Sequence, residues 1–274
     1  MSRATSVAVV TVTRNDLDGL KRTCQSVREQ THPDVRPCIV DGASTDGTLA
    51  FLESLPDGVD WISEPDTGIY NAMNKGLARV DAEYVLFLNA GDIFWRADAL
   101  ESLLAETDRA AGEATILSGR VEFTYAGRPT GVFRPPEPGP EGPGLPHQAT
   151  LVRTDIHAHY PFDESLRFVG DYELWRRMRR NDDYRVAYGS TVMAYFDVGG
   201  ASMNPRHDKE RFVERGFVEV RERGRIGART FYGLFVKAAL RALAWRVLPA
   251  RTFYLTAIRA GRAARRALLS RPPG

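Results

Sequence analysis

The sequence predicts an α/β fold: a mostly parallel sheet flanked by helices, extended at its C-terminus by a basic helical segment. Three observations predict it. Short runs rich in Val and Ile alternate with amphipathic helical patterns of roughly 10–15 residues through the first half of the chain. Acidic, glycine-containing clusters stand at the ends of those runs. The last acidic residue is Glu222, and beyond it the charge is entirely basic.

In chain order, strands are expected at Ser6–Thr13, Arg36–Asp41, Val59–Ser63 and Glu83–Leu88. The intervening helices fit Asp16–Gln30, Asp46–Leu55, Ile69–Ala78 and Ala97–Glu106, with Asn15 and Ser44 or Thr45 as N-caps. Successive strand–helix units of this kind make parallel sheets, and ligands bind such sheets beyond the carboxyl ends of the strands, where the strand order switches. That rule puts Thr13–Asn15, Asp41–Asp46, Glu64–Gly68 and Asn89–Asp92 on one rim. The alternation in Thr115–Phe133 suits one or two antiparallel strands. Arg134–Pro146, mostly Pro and Gly, reads as a mobile loop. Gly170–Arg180 is expected to be a short helix and Val186–Val198 a strand. Two amphipathic helical patterns divided by Pro249 follow from Thr230.

A hydrophobic share of 43% and a charged share of 26% are ordinary for a globular protein. The two cysteines, Cys24 and Cys38, fit neither a disulfide framework nor a metal-ligand spacing and read as buried thiols. The apolar strand begins at Val7 without a basic leader or small-residue cleavage site, and no stretch is long and apolar enough to span a bilayer, so a cytoplasmic location is expected. The net charge of +2 conceals an asymmetry. Residues 223–274 hold 11 Arg and 1 Lys and no acid, +12 in all, which leaves −10 on residues 1–222.

The acidic clusters carry the chemistry. They are Asp41-Gly42-Ala43-Ser44-Thr45-Asp46-Gly47, Glu64-Pro65-Asp66-Thr67-Gly68 and Asn89-Ala90-Gly91-Asp92. A carboxylate at a strand end, beside a glycine that permits close backbone approach, suits a divalent cation and the diphosphate bound to it. Each cluster alone also reads as turn chemistry or a helix cap. Their shared position on one rim, in order, favours the site.

With these segments in hand, the chain resembles the family 2 glycosyltransferases of GT-A, Rossmann-like fold, in the subgroup of capsule, exopolysaccharide and glycolipid assembly. The segments are VVTVTRN at 9–15, CIVDGASTDGT at 38–48, the run from Glu64 to Asp92, HQATLV at 147–152, FVGDYELWRRM at 168–178 and VGGAS at 198–202. The resemblance implies that Thr11, Thr13, Arg14, Asn15, Asp41, Asp66, Asn74 and Lys75 line the donor nucleotide. Asn89, Ala90 and Gly91 occupy the family's Asp-x-Asp position and Asp92 is the implied ligand of Mn²⁺ or Mg²⁺, although the signature's first carboxylate is missing here. Asp171 matches the catalytic base, with Gly170 where a Glu is usual; an N-cap is the bland alternative. His147, Gln148, Arg176 and Arg177 are implied on the acceptor or diphosphate side, while Trp175 reads as core.

The function implied is an inverting transfer of a sugar from a nucleotide-sugar donor to a hydroxyl of a glycan, lipid-linked or glycolipid acceptor. A non-catalytic sugar-binding protein on a degenerate scaffold and a sugar nucleotidyltransferase are the alternatives. The organisation expected is a domain over residues 1–222, with a nucleotide half to about 112 and an acceptor half from 113, then the basic tail at 223–274. Aromatic and apolar residues interleave with Arg and Lys in that tail, which suits an anionic membrane surface on the inner face of the cell membrane. Packing in a homodimer is the alternative, and a nucleic-acid partner is not expected.

Overall fold

The computed structural model describes residues 4–111, 113–125, 127–134, 144–198 and 204–223, together with residues 236, 240, 241, 243, 244 and 252. Most of the Pro/Gly loop, the Gly199–Ser202 segment and nearly all of the basic tail lie outside the described residues. The chain divides into two compact units, one of residues 1–123 and 131–196, the other of residues 124–130 and 197–274.

The first unit is built outward from β1, Val7–Thr13, whose seven residues are all buried. An apolar run with no alternation is what a strand covered on both faces requires. It pairs in parallel with β2, Val35–Asp41, on one side and with β4, Tyr84–Phe87, on the other. Beyond β2 lies β3, Asp60–Ser63. The resulting order β3-β2-β1-β4 reverses direction between β1 and β4, and this switch point opens a crevice at their carboxyl ends. Register decides what lines it. Thr13 stands beside Asp41, and Asp41 beside Ser63. Pairing runs past the end of β4, with Leu88 N–H donating to Val10 O and Ala90 N–H to Val12 O, both at 3.0 Å.

The helices pack as their periodicity dictates. On α1, Leu17–Arg28, the buried residues Leu20, Thr23 and Val27 fall on one face, and the cap is Asp16, whose carboxylate accepts the Gly19 N–H at 2.9 Å. Asn15, the expected cap, does other work. α2, Thr48–Glu53, begins at left-handed Gly47 with no side-chain cap, because Ser44 and Thr45 are engaged elsewhere. α3, Ile69–Leu77, presses Gly76 onto β1 so closely that a Cβ there would stand 2.4 Å from Val10 Cγ1.

The sheet then continues antiparallel. β5, Ile93–Phe94, follows the Asn89–Asp92 turn, and α4, Ala99–Ala111, follows it. β6, Ile116–Tyr125, and β7, Arg128–Arg134, pair with each other where one or two antiparallel strands were expected. β8, Thr150–Arg153, pairs antiparallel with β4 and with β6, and was not foreseen from the sequence. Running against β4, it must start at the rim where β4 ends, so the residues just before it arrive there. α5, Thr154–Ala158, and α6, Gly170–Met178, come next. β9, Val186–Asp197, pairs antiparallel with β5. Cys24 and Cys38 are free thiols, and burial pushes them up to about 11 and about 12, which makes both poor nucleophiles.

His157 on α5 is fully buried against Phe87 and Phe162, at centroid distances of 5.4 and 5.3 Å, and its Nδ1 has no partner. Burial, aided by the Arg177 charge, lowers its pKa from 6.5 to about 4. The unfolded chain therefore takes up this proton below pH 6.5 and the folded chain does not until about pH 4. Stability is complete above 6.5 and falls through that window by about 1.4 kcal/mol per pH unit. Between pH 7 and 5 the wild type is expected to lose about 2 kcal/mol more than His157→Leu in urea unfolding. Equal losses in the two proteins would refute this.

The second unit contains the hairpin tip and α7, Asp208–Arg223, a helix the sequence reading did not separate from the body. Asp208 pairs with Arg211 and, at 2.9 Å, with Arg241. Val213, Phe217 and Val220, spaced four and three apart, leave one face of α7 exposed at 59%, 53% and 43%.

Candidate active site

Two loops interlock at the ends of β1 and β2. Asn15 and Ala43 are the two non-glycine residues with positive φ among those described, at 52° and 57°. The Asn15 N–H donates to Ser44 Oγ at 2.7 Å and its side-chain oxygen accepts from the Thr45 N–H at 2.8 Å, so each loop holds the other in its strained form. Such strain persists only where surrounding bonds over-determine it, and it concentrates at ligand sites. Asp46 completes the link, accepting the Leu17 N–H at 2.9 Å and the Thr48 hydroxyl at 2.6 Å, bonds that hold its carboxyl below the usual range.

Asp41 is fully buried. Its carboxylate accepts from Ser44 N–H at 3.1 Å and from the Ser63 hydroxyl at 2.6 Å, as well as from Ser44 Oγ. It braces the rim from beneath. Beside it lies Asp66, whose side chain is only 7% exposed and runs across Gly42: a Cβ there would sit 2.2 Å from Asp66 Oδ2. Asp66 also accepts the Gly68 N–H at 3.0 Å and stands 3.9 Å from the exposed Arg14 guanidinium. Thr11 is enclosed two residues inside β1, whereas Thr13 ends the strand with a buried Oγ1 that has no protein partner.

Across the switch point is the Asn89–Asp92 turn. A residue that sequence reasoning missed holds it. Thr23, fully buried on α1, accepts the Gly91 N–H at 3.0 Å and lies 2.7 Å from Asp92 O and 3.4 Å from Asn89 O. Its signal was a hydroxyl in the apolar stripe of α1, where Leu20 and Val27 are its neighbours. Thr23→Val keeps the shape but strands the turn's polar groups. It is expected to cost about 1–3 kcal/mol in chemical denaturation. Thr23→Ser should behave as wild type; equal damage from both variants would refute the hydroxyl's role.

His147, in a 3₁₀ turn immediately before β8, joins this turn to α6. Its Nε2 lies 3.3 Å from Asn89 Nδ2 and its Nδ1 3.9 Å from Asp171 Oδ2. Asn89 Oδ1 is buried without a protein partner, the second such acceptor beside the switch point after Thr13 Oγ1. The approach of α6 is fixed by Trp175, buried as expected, whose indole N–H donates to Leu145 O at 3.0 Å and whose ring covers Gly144. Asp171 lies in the first turn of α6 and is not its cap, which is Val169. Gly170 is glycine for a reason: a Cβ would stand 2.6 Å from the ring of Tyr70, itself stacked on Phe162 at 5.3 Å. A Glu at this place has no room.

Other expected site residues go elsewhere. Asn74 spends its amide on Phe162 and Glu164, with Phe162 N–H donating to it at 2.8 Å. Lys75 bonds Pro65 O at 2.7 Å and Glu64 at 2.8 Å, tying the Asp66 loop to α3. Arg177 grips buried Glu173 at 3.0 Å and Pro161 O at 2.6 Å, and so braces α6 instead of reaching into the crevice. Arg176 lies over the Tyr172 ring. Gln148 is buried.

Among the described residues no three His, Cys, Asp or Glu side chains form a ready metal cage. The donor set beside Gly91 nevertheless suits a hard cation. Asp92 follows Gly91, and Asp16 Oδ2 lies 3.6 Å from where a Gly91 Cβ would be. Carboxylate oxygens in small number, completed by a diphosphate, are the usual Mg²⁺ or Mn²⁺ arrangement.

Comparison with known proteins agrees with this fold. A family model described as glycosyl transferase family 2 matches residues 8–145. An uncharacterized glycosyltransferase of Mycobacterium tuberculosis is 40% identical over 102 residues, 36% of this chain and 39% of that protein. The chain's match thus spans about two fifths of that curated relative's length. A PGL/p-HBAD biosynthesis glycosyltransferase of the same species is 26% identical over 222 residues, covering 76% of this chain and 82% of that one. Among solved structures, a mannosyltransferase from Pyrobaculum calidifontis in complex with GDP-Man and Mn²⁺ shares the fold at a TM-score of 0.61. Its identity is 17%, over 96% of this chain and 81% of that one.

Proposed function

The chain belongs to glycosyl transferase family 2, and from that premise we propose that it transfers a sugar from a nucleotide-sugar donor to a hydroxyl of a glycan, lipid-linked or glycolipid acceptor. The observation that supports the proposal is the approach of His147 to both Asn89 and Asp171, which leaves Asp171, read as the general base, within one side chain of the turn that bears Asp92.

The nucleotide lies over the interlocked loops, with Arg14 at its edge, Asp66 beneath it, and the unpartnered Thr13 Oγ1 and Asn89 Oδ1 buried beside the crevice. A divalent cation, Mn²⁺ or Mg²⁺, would be held by Asp92, with Asp16 nearby, and would supply charge neutralisation for the departing nucleoside diphosphate. Asp171 takes the proton of the acceptor hydroxyl as that oxygen bonds to the anomeric carbon and the bond to the diphosphate breaks. One displacement from the face opposite the leaving group inverts the configuration. The fold of a neighbour in complex with GDP-Man and Mn²⁺ supports the donor class.

The test is a screen of nucleotide sugars for metal-dependent release of nucleoside diphosphate. Release of pyrophosphate would indicate nucleotidyl transfer, and binding without turnover a non-catalytic scaffold; either result would overturn the proposal.

The second unit suits attachment to an anionic membrane. The apolar face of α7 is exposed, and the +12 of residues 223–274 is enough to hold the protein at the surface at about 1 kcal/mol per basic residue. No helix among the described residues is long and apolar enough to cross a membrane. The protein should sediment with phosphatidylserine vesicles at low salt and release at high salt. Equal sedimentation with neutral vesicles, or none with either, would count against the surface role and leave self-association as the reading for this face.

A further inference from the structure

We propose that His147 is a positioning residue for Asp171, and that the amide of Asn89 decides which imidazole nitrogen carries the proton. The inference rests on the reading of Asp171 as the base. It begins from the chemistry of three groups in a row. The nitrogen of a side-chain amide only donates, so Asn89 Nδ2 at 3.3 Å requires Nε2 of His147 to accept. A neutral imidazole has one proton, which then sits on Nδ1, the nitrogen that faces Asp171 Oδ2 at 3.9 Å. Donor and acceptor ends alternate along the whole row. Reversing the amide would reverse the tautomer and bring the bare lone pair of Nδ1 against a carboxylate, acceptor on acceptor.

The surroundings leave His147 little other freedom. Before it, Leu145 O is held by Trp175 and Pro146 O accepts from Thr150 Oγ1 at 2.8 Å and from Ala149 N–H at 3.0 Å. The turn is therefore fastened on both sides of the imidazole, which is only 18% exposed. Asp171 has its Oδ1 on the Tyr172 N–H at 2.7 Å, which turns Oδ2 toward the ring. A distance of 3.9 Å is longer than a hydrogen bond. Catalytic contacts of this kind are often long without substrate and commonly tighten when it arrives. The row thus couples the turn that carries Asp92 to the orientation of the base, and it gives Asn89 a task that an aspartate cannot perform, since a carboxylate accepts where the amide donates.

Two measurements test it. In the full-length chain labelled with ¹⁵N-histidine, the His147 resonances, identified by their loss in His147→Phe, are expected to report a proton on Nδ1. Asn89→Asp is expected to move the proton to Nε2 or to protonate both nitrogens. A proton on Nε2 in the wild type, or no change in Asn89→Asp, overturns the proposal whether or not the protein proves to be a glycosyltransferase. In donor turnover, His147→Phe is expected to lower kcat by about 10- to 100-fold with the donor KM nearly unchanged. His147→Asn, whose amide N–H stands close to the place of Nδ1, should recover most of the rate. Equal loss in both variants, or a loss confined to KM, reduces His147 to packing and overturns the positioning role. If the tautomer is as expected while no nucleotide sugar turns over, it is the enzymatic reading that has failed.

Discussion

Asp171→Asn is expected to lower kcat by about 10²- to 10⁴-fold while nucleoside diphosphate binding stays within about twofold of wild type. The asparagine keeps the size and the first-turn position of the side chain but cannot accept a proton from an alcohol. Its place on α6 does not depend on the charge, because Trp175 and the contact of Gly170 with Tyr70 hold the helix. Calorimetry with the nucleoside diphosphate and Mn²⁺, beside steady-state turnover, separates the two quantities. Near-normal turnover would remove Asp171 from the chemistry, and loss of binding would show that it belongs to the donor site.

The second large effect is expected at Asp92. Replacement by alanine should lower kcat/KM by about 10²- to 10³-fold and make nucleoside diphosphate affinity insensitive to Mn²⁺, because the proposed cation would lose its protein anchor at the diphosphate. The turn itself should survive: its geometry comes from left-handed Gly91 and from the Thr23 hydroxyl on backbone atoms, neither of which uses the Asp92 side chain. Unaltered Mn²⁺ dependence in Asp92→Ala would assign the cation to other ligands, Asp16 first among them. Loss of activity together with a lowered melting temperature would point to the fold instead. Comparison with Thr23→Val distinguishes these outcomes, since that variant disturbs the turn while leaving the carboxylate in place.

The parallel half of the fold was legible because its code is local. Four apolar runs and three intervening amphipathic patterns are each readable within a dozen residues, and β1 to β4 with α1 to α3 appear where expected to within a few positions. The antiparallel half was less so. β8 is four residues long and lies between a Pro/Gly-rich stretch and α5, too short to show a period. α7 mixes charges around its circumference and was absorbed into the body in the sequence reading. The caps were misassigned for a related reason. Asn15 and Ser44 are good cap types, but their best partners are each other, and only the register of β1 on β2 puts them within reach.

The same division runs through the site. Sequence determined that this is an α/β protein, that the acidic clusters lie at strand ends, and that one basic tail follows an acidic body, since periodicity, turn chemistry and charge are properties of neighbouring residues. Tertiary structure alone decided how those clusters are used. It buried Asp41 beneath the rim, laid Asp66 across Gly42, spent Asn74, Lys75 and Arg177 on bracing, and brought Thr23 to the Asn89–Asp92 turn. It also delivered His147 between Asn89 and Asp171, because a strand that runs antiparallel to β4 must begin where β4 ends. Contacts between residues 58 and 66–69 positions apart depend on strand order and register, and no local pattern encodes those.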